Sequence, residues 1–212
     1  MKVNIKVMEY FLRYQGEKYI TPQKAGELKE VMETFKRDGQ VARAAFQELA
    51  KQVDEQLETF KMQRVSGWMN QAQFGRPHFW CYFQYENDTK ADPTFAIRLI
   101  TIDDKLGISV EVSFIERGSV PETVARQNQV LSVPIEAPLY YFVQENGVSH
   151  REDGTEESRQ NLQKKIAEGI ARKVLVKYDI PRLSEYDSDD ALVAELLKGF
   201  KLLAPYFDAT TA

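Results

Sequence analysis

Gly107–Glu116 reads GISVEVSFIE, and the alternation in this stretch decides the fold. Ile108, Val110, Val112 and Phe114 alternate with Ser109, Glu111 and Ser113. A period of two places the apolar set on one face of an extended strand and the polar set on the other. A strand with one dry and one wet face belongs to an antiparallel sheet, because parallel sheets are covered on both sides. Upstream, Asp103-Asp104-Lys105-Leu106-Gly107 is a turn leading back to TFAIRLITI, and the turn cluster NDTKADP leads back to HFWCYFQYE after Pro77. These three runs, rich in aromatic and β-branched residues, predict a meander. Downstream, LYYFVQE and VSHR flank Asn146-Gly147, a strong hairpin signal. KVLVKYDIP suits either a helix end or a short edge strand over Lys173–Ile180, so four to five strands are expected.

The flanks read as helix. Val3, Val7, Tyr10, Phe11 and Tyr14 recur at helical spacing before Gly16. Thr21-Pro22 offers a cap and a first-turn proline to a stripe of Ala25, Leu28, Met32 and Phe35 that ends near Asp38-Gly39. A longer stripe, Phe46, Leu49, Ala50, Val53, Leu57 and Phe60, follows within Gln40–Gln63. SVPETVARQNQVLSVP suits a short helix or an irregular crossover. Thr155 caps a helix carrying Leu162, Ile166 and Ile170. Ser188, with Asp189 and Asp190 after it, caps a last helix expected to stop at Pro205, with Ala209–Ala212 frayed. The fold class is α+β: one domain over 1–212, with a helical part at 1–64, the sheet at 65–152 and C-terminal helices on one face at 153–207.

Composition narrows the function. A chain with 28 basic and 32 acidic residues carries a net charge of -4, the wrong sign for a protein working mainly through phosphate contacts. Nucleic acid is therefore a disfavoured partner, although a local basic face stays open; a protein partner or a second copy of the chain fits the composition. One cysteine forms no internal disulfide, and with two histidines it supplies no Cys/His zinc cage. No stretch reads as a signal-peptide core or a membrane span, so a cytoplasmic setting is expected. The glycine-rich dinucleotide and phosphate loops are missing, as are the H-E-x-x-H and G-x-S-x-G motifs. No cofactor and no metal are expected.

Both tryptophans, one histidine and the cysteine crowd into Val65–Cys81, VSGWMNQAQFGRPHFWC. In the strand that follows Pro77, His78, Trp80, Tyr82 and Gln84 share one face, and Phe79, Cys81, Phe83 and Tyr85 the other. His78 and Cys81, three apart, then point to opposite faces and form no nucleophilic dyad. Trp68, Asn70, Gln71 and Arg76 combine an indole, two amides and a guanidinium. That set suits a planar polar ligand, and it equally suits a loop pinning itself to the core. Arg98 and Glu111 lie on neighbouring runs and suit a cross-strand ion pair worth at most ~1 kcal/mol. Should that face be covered, Glu111 becomes the best carboxylate for acid–base work, with His78 as the other candidate. Lys164, Lys165, Arg172, Lys173 and Lys177 read as a solvated basic face near a helix end, and His150 as a surface histidine.

With GWMNQAQFGRPHFWCYF, two further β-rich runs and a closing KLLAPYFD, the chain resembles a family of short bacterial proteins of about this whole length. Some of those carry a glucose-6-phosphate dehydrogenase label, which would imply a nucleotide fingerprint that this sequence lacks. Its central third also resembles the N-terminal DNA-recognition domain of McrB-type restriction subunits, which reads modified cytosine. That resemblance implies a base pocket lined by Trp68, Asn70 and Trp80. The reading of the residues themselves is a non-catalytic bacterial binding or interaction protein. The alternatives are a modified-base reader and a small-molecule enzyme using Glu111 or His78.

Overall fold

The computed structural model describes residues 3–115 and 120–211. Glu116, the end of the deciding stretch, Ser119 at the start of the crossover and Ala212 in the tail lie outside the described residues. The chain is α+β with a seven-stranded, wholly antiparallel sheet. Its strands are β1 (Lys61–Met62), β2 (Trp80–Gln84), β3 (Pro93–Ile102), β4 (Lys105–Phe114), β5 (Tyr140–Glu145), β6 (Val148–Asp153) and β7 (Ala171–Ile180), in the order β1-β2-β3-β4-β7-β5-β6.

Seven strands replace the expected four to five for two reasons. The short β1 adds itself beside β2, and Lys173–Ile180 is neither a helix end nor an edge but part of the full-length strand β7. Lys173, Leu175, Lys177 and Asp179 alternate there with Val174, Val176, Tyr178 and Ile180, the same period of two that marks β4. Pairing with β4 on one side and β5 on the other, β7 joins the meander to the Asn146-Gly147 hairpin.

Among the described residues five α-helices accompany the sheet: α1 (Ile5–Phe11), α2 (Lys29–Asp54), α3 (Pro121–Gln127), α4 (Glu156–Ala167) and α5 (Asp189–Thr211). Two stripes expected to be separated near Asp38-Gly39 form the single helix α2. Gly39 is no stop; it is a notch. A Cβ at Gly39 would lie 2.8 Å from the Trp68 indole, which also meets Tyr19 and Phe35 edge-on at 5.0 and 5.4 Å. Leu57 and Phe60 fall beyond the helix, and Phe60 stacks on Tyr85 at 4.5 Å.

The dry face of the sheet carries Phe79, Cys81, Phe83, Phe95, Ile97, Val110, Val112, Val174 and Val176, all buried. Helix α5 settles on it through Phe200, which meets Phe83 edge-on, and Phe207, which stacks on Phe95 at 4.7 Å. Gly199 allows that approach, since a Cβ there would lie 2.8 Å from both Tyr178 and Val110. The helix does not stop at Pro205 but continues through it to Thr211. Burial of Tyr206, Phe207 and Thr210 outweighs the cost of the proline, and the Tyr206 hydroxyl donates to the Pro134 carbonyl at 2.8 Å. Helix caps fall where expected: Thr155 Oγ1 accepts from Ser158 N–H and Ser188 Oγ from Ala191 N–H, each at 3.1 Å.

Placing a methyl group at Gly39 sets helix propensity, a gain of about 1 kcal/mol, against overpacking on the indole. Gly39→Ala is expected to lower unfolding stability by about 1–3 kcal/mol in urea titrations. A neutral or stabilised variant would show that Trp68 does not bear on this notch.

Candidate functional site

The polar face of the sheet is not the solvated one that the alternation in β4 predicts, because Ser109, Glu111 and Ser113 are buried there beneath the side chains of neighbouring strands. Arg76, His78, Trp80 and Tyr82 reach it from the β2 side, and Ser149 and Arg151 from β6 at the far side, around one cavity of about 890 Å³. β2 and β6 stand five strand positions apart in the sheet, and side chains from both line the cavity.

At its floor stands Glu111. Its side chain is 1% exposed, and the register places it between Ala96 on β3 and Lys177 on β7. Arg98, directly opposite Trp80, reaches diagonally across the small Ala96 to donate to Glu111 Oε1 from Nη2 at 2.9 Å and from Nε at 3.2 Å. Lys177 Nζ lies 2.6 Å from Oε2. Burial pushes the Glu111 carboxyl up, but Arg98 and Lys177 outweigh it and hold the group down at about 2. The expected surface pair is therefore a buried triad, whose third member lay in the basic run read as solvated. Lys177 is buried, whereas Lys164 is exposed beside Glu168.

A second polar group lies along the same face. Tyr140 donates from its hydroxyl to Asp179 Oδ1 at 2.9 Å, and Arg151 Nη1 donates to Oδ2 at 3.1 Å. Burial raises the Asp179 carboxyl above its ordinary value despite the hydrogen bond from Tyr140 and the charges of Lys177 and Arg151. Burial and the positive charges of Arg98 and Lys177 lower His78, so this imidazole is neutral at pH 7.

Cations lie against rings throughout the cleft. Arg76 and Arg98 stand 4.5 and 5.1 Å from the centre of the Trp80 ring, Arg151 is 3.7 Å from that of Tyr140, and Lys177 is 4.5 Å from that of Phe142. Among the described residues that line this cavity are five cationic side chains, Arg76, Arg98, Arg151, Lys173 and Lys177, and three carboxylates, Asp103, Glu111 and Asp179. The chain as a whole carries -4.

Of the residues singled out in the sequence, Arg76, His78, Trp80, Tyr82, Arg98 and Glu111 line the cleft. Trp68, Asn70 and Gln71 do not. Trp68 packs on α2, Asn70 Oδ1 accepts from Phe74 N–H at 2.9 Å to pin its own loop, and Gln71 is exposed. A planar polar ligand would thus meet Arg76 without the indole and amides that precede it. Cys81 lies on the opposite, dry face, and burial pushes its thiol up to about 12, which leaves it protonated and unreactive. Sequence reasoning missed Tyr140, Phe142, Arg151, Lys173, Lys177 and Asp179. The alternation in β7 was the available signal.

Glu145, His150 and Glu152 lie close enough together to hold a metal ion. The Lys165 ammonium already bridges the two carboxylates at 3.1 Å each, so their charge is matched. No helix among the described residues is long and apolar enough to cross a membrane. No family model, curated protein or solved structure matches the chain.

Removing the Glu111 charge strands two cations in the sheet. Glu111→Gln is expected to cost about 3–5 kcal/mol of unfolding stability. Because the carboxyl is held below its ordinary 4.5, its stabilisation is complete above that pH and is lost as pH falls towards about 2. The acid limb of a stability–pH curve should therefore be flatter in the variant over that interval. Parallel limbs for the two proteins would contradict the triad.

Proposed function

We propose that this chain is a non-catalytic binding protein that holds a small anion with a flat apolar body against the polar face of its sheet. The observation that carries this reading is that, among the described residues lining the cleft, five cationic side chains stand with three carboxylates around Trp80, Tyr82, Tyr140 and Phe142, in a protein that is acidic as a whole. Such a site draws anions by its field and orients them by fixed donors, while the rings contribute apolar contact.

The same geometry supports binding over acid–base catalysis. Glu111 is ionised and held by two cations, so moving a proton onto it would break the triad. His78 is neutral and half-buried, and the positive charges beside it oppose its protonation. The packing of Trp68 and Asn70 away from the cleft takes support from the base-reader alternative, which needed both. A cytoplasmic setting accords with the single, buried, unpaired cysteine.

Titration with 4-hydroxybenzoate and phenyl phosphate, each beside a neutral isostere, tests the reading through tryptophan fluorescence in a Trp68→Phe background. Saturable quenching by the anions, at least tenfold tighter than by the isosteres and weakened by salt, is the expected outcome. Equal binding of anion and isostere, or no saturable response, would overturn it.

A further inference from the structure

We propose that the β5–β6 hairpin and helix α4 form a site for a borderline divalent metal ion of the zinc class, with Glu145, His150 and Glu152 as its protein ligands. Strand pairing brings the three together. Val143 stands opposite His150 and Tyr141 opposite Glu152, so the period of two turns Glu145, His150 and Glu152 to the side that carries Tyr141 and Val143. That side is the apolar face, on which Tyr141 and Val143 pair with Val176 and Val174 of β7. Ser149 and Arg151, the alternate residues of β6, line the cleft on the opposite face. The metal site is therefore separate from the cleft and does not depend on the anion-binding reading.

Three donor atoms converge there. His150 Nε2 lies 3.1 Å from Glu152 Oε1 and 4.0 Å from Glu145 Oε2, and all three atoms lie within 4.8 Å of one another. A tetrahedral zinc ion with bonds of about 2.0–2.1 Å separates its ligand atoms by roughly 3.3 Å, and the two measured separations fall on either side of that value. The place of the ion is already held by a cation. Lys165 Nζ stands 3.1 Å from Glu145 Oε2 and 3.1 Å from Glu152 Oε1, the same two oxygens that lie nearest the imidazole nitrogen. The hairpin thus gathers its donors around positive charge, and α4 supplies that charge on a flexible four-carbon stem. The lysine and all three ligands are partly exposed, so ions reach them, and displacing so exposed an ammonium costs little. A metal ion then gains a bond that the ammonium does not make, to the imidazole lone pair. One imidazole with two carboxylates suits zinc, whereas magnesium and calcium take oxygen donors. Three protein ligands leave the fourth tetrahedral position open for water or a donor from another molecule, unlike closed structural sites.

The experiment is calorimetric titration of the full chain with Zn²⁺ and, as a control, Mg²⁺, together with visible absorption of the chain loaded with Co²⁺. One equivalent of Zn²⁺ should bind at least tenfold tighter than Mg²⁺, and Co²⁺ should give the intense visible band of a tetrahedral site. His150→Ala and Glu152→Gln should each weaken Zn²⁺ binding at least tenfold and abolish that band. Lys165→Met should tighten Zn²⁺ binding at least tenfold because the competing ammonium is gone, a direction that a merely structural lysine would not produce. Cys81→Ala, which removes the other zinc-favouring donor of the apolar face, should leave binding unchanged. Thermal melts establish that each variant is folded, and Glu152→Gln gives a second readout should His150→Ala fail. Binding indifferent to the His150 and Glu152 variants would be that of an adventitious ion only and would overturn the proposal. Loss of binding in Cys81→Ala would place the ion elsewhere and overturn it too. Binding seen only in Lys165→Met would also overturn it, since the lysine would then be the permanent counter-ion of the two carboxylates. No binding to any of these proteins would do the same.

Discussion

An ionised carboxylate loses several kcal/mol of hydration when it is buried, and it remains charged there only if cations are brought to it. Glu111, almost completely buried in the middle of the sheet, is met by Arg98 from one neighbouring strand and Lys177 from the other. The requirement binds three strands together. Arg98 belongs to the meander, and Lys177 lies 66 residues after Glu111, on β7. Registers β3–β4 and β4–β7 must both be correct for the triad to close, because a shift of one residue would turn these side chains to the dry face. The triad is thus a specification of topology as well as a cluster of charge.

The proposed function rests on which face of the sheet the helices leave uncovered. The helical segment before β1 and helix α5 pack on the apolar face through interlocking rings, with Gly199 admitting α5 to Val110 and Tyr178. The opposite face forms a cleft in which Glu111 and Asp179 already have cationic partners, and among its described lining residues cationic side chains outnumber carboxylates. Matching also stiffens the site, because each cation or carboxylate held by a neighbour needs less ordering when a ligand arrives. This is the arrangement on which the proposed anion-binding function rests.

Much of this was legible in local patterns. The alternation in Gly107–Glu116 gave β4 its two faces, the pleat after Pro77 put His78, Trp80 and Tyr82 together, and Asn146-Gly147 marked the hairpin. What escaped was non-local. Nothing within Gly39 or Trp68 says that one fills the absence of a side chain in the other, so a helix-breaking residue reads as a boundary. Lys177 reads as solvated because lysine is rarely buried unless paired, and its partner is distant in sequence. With Lys173–Ile180 open between a helix end and a short edge strand, nothing local placed it between β4 and β5, and so the part of the cleft that carries Lys173, Lys177 and Asp179 went unseen. Pro205 misleads in the same way, since its cost to α5 is offset by rings that find their places only in the assembled core.

The state of Glu111 is the most direct test of this account, and carboxyl-detected ¹³C NMR of the labelled protein reports it from pH 7 downwards. The triad predicts a resonance that stays ionised through the ordinary carboxylate range and shifts only near pH 2. A midpoint at or above 4.5 would contradict the account, because Glu111 would then be unpaired and free for acid–base work.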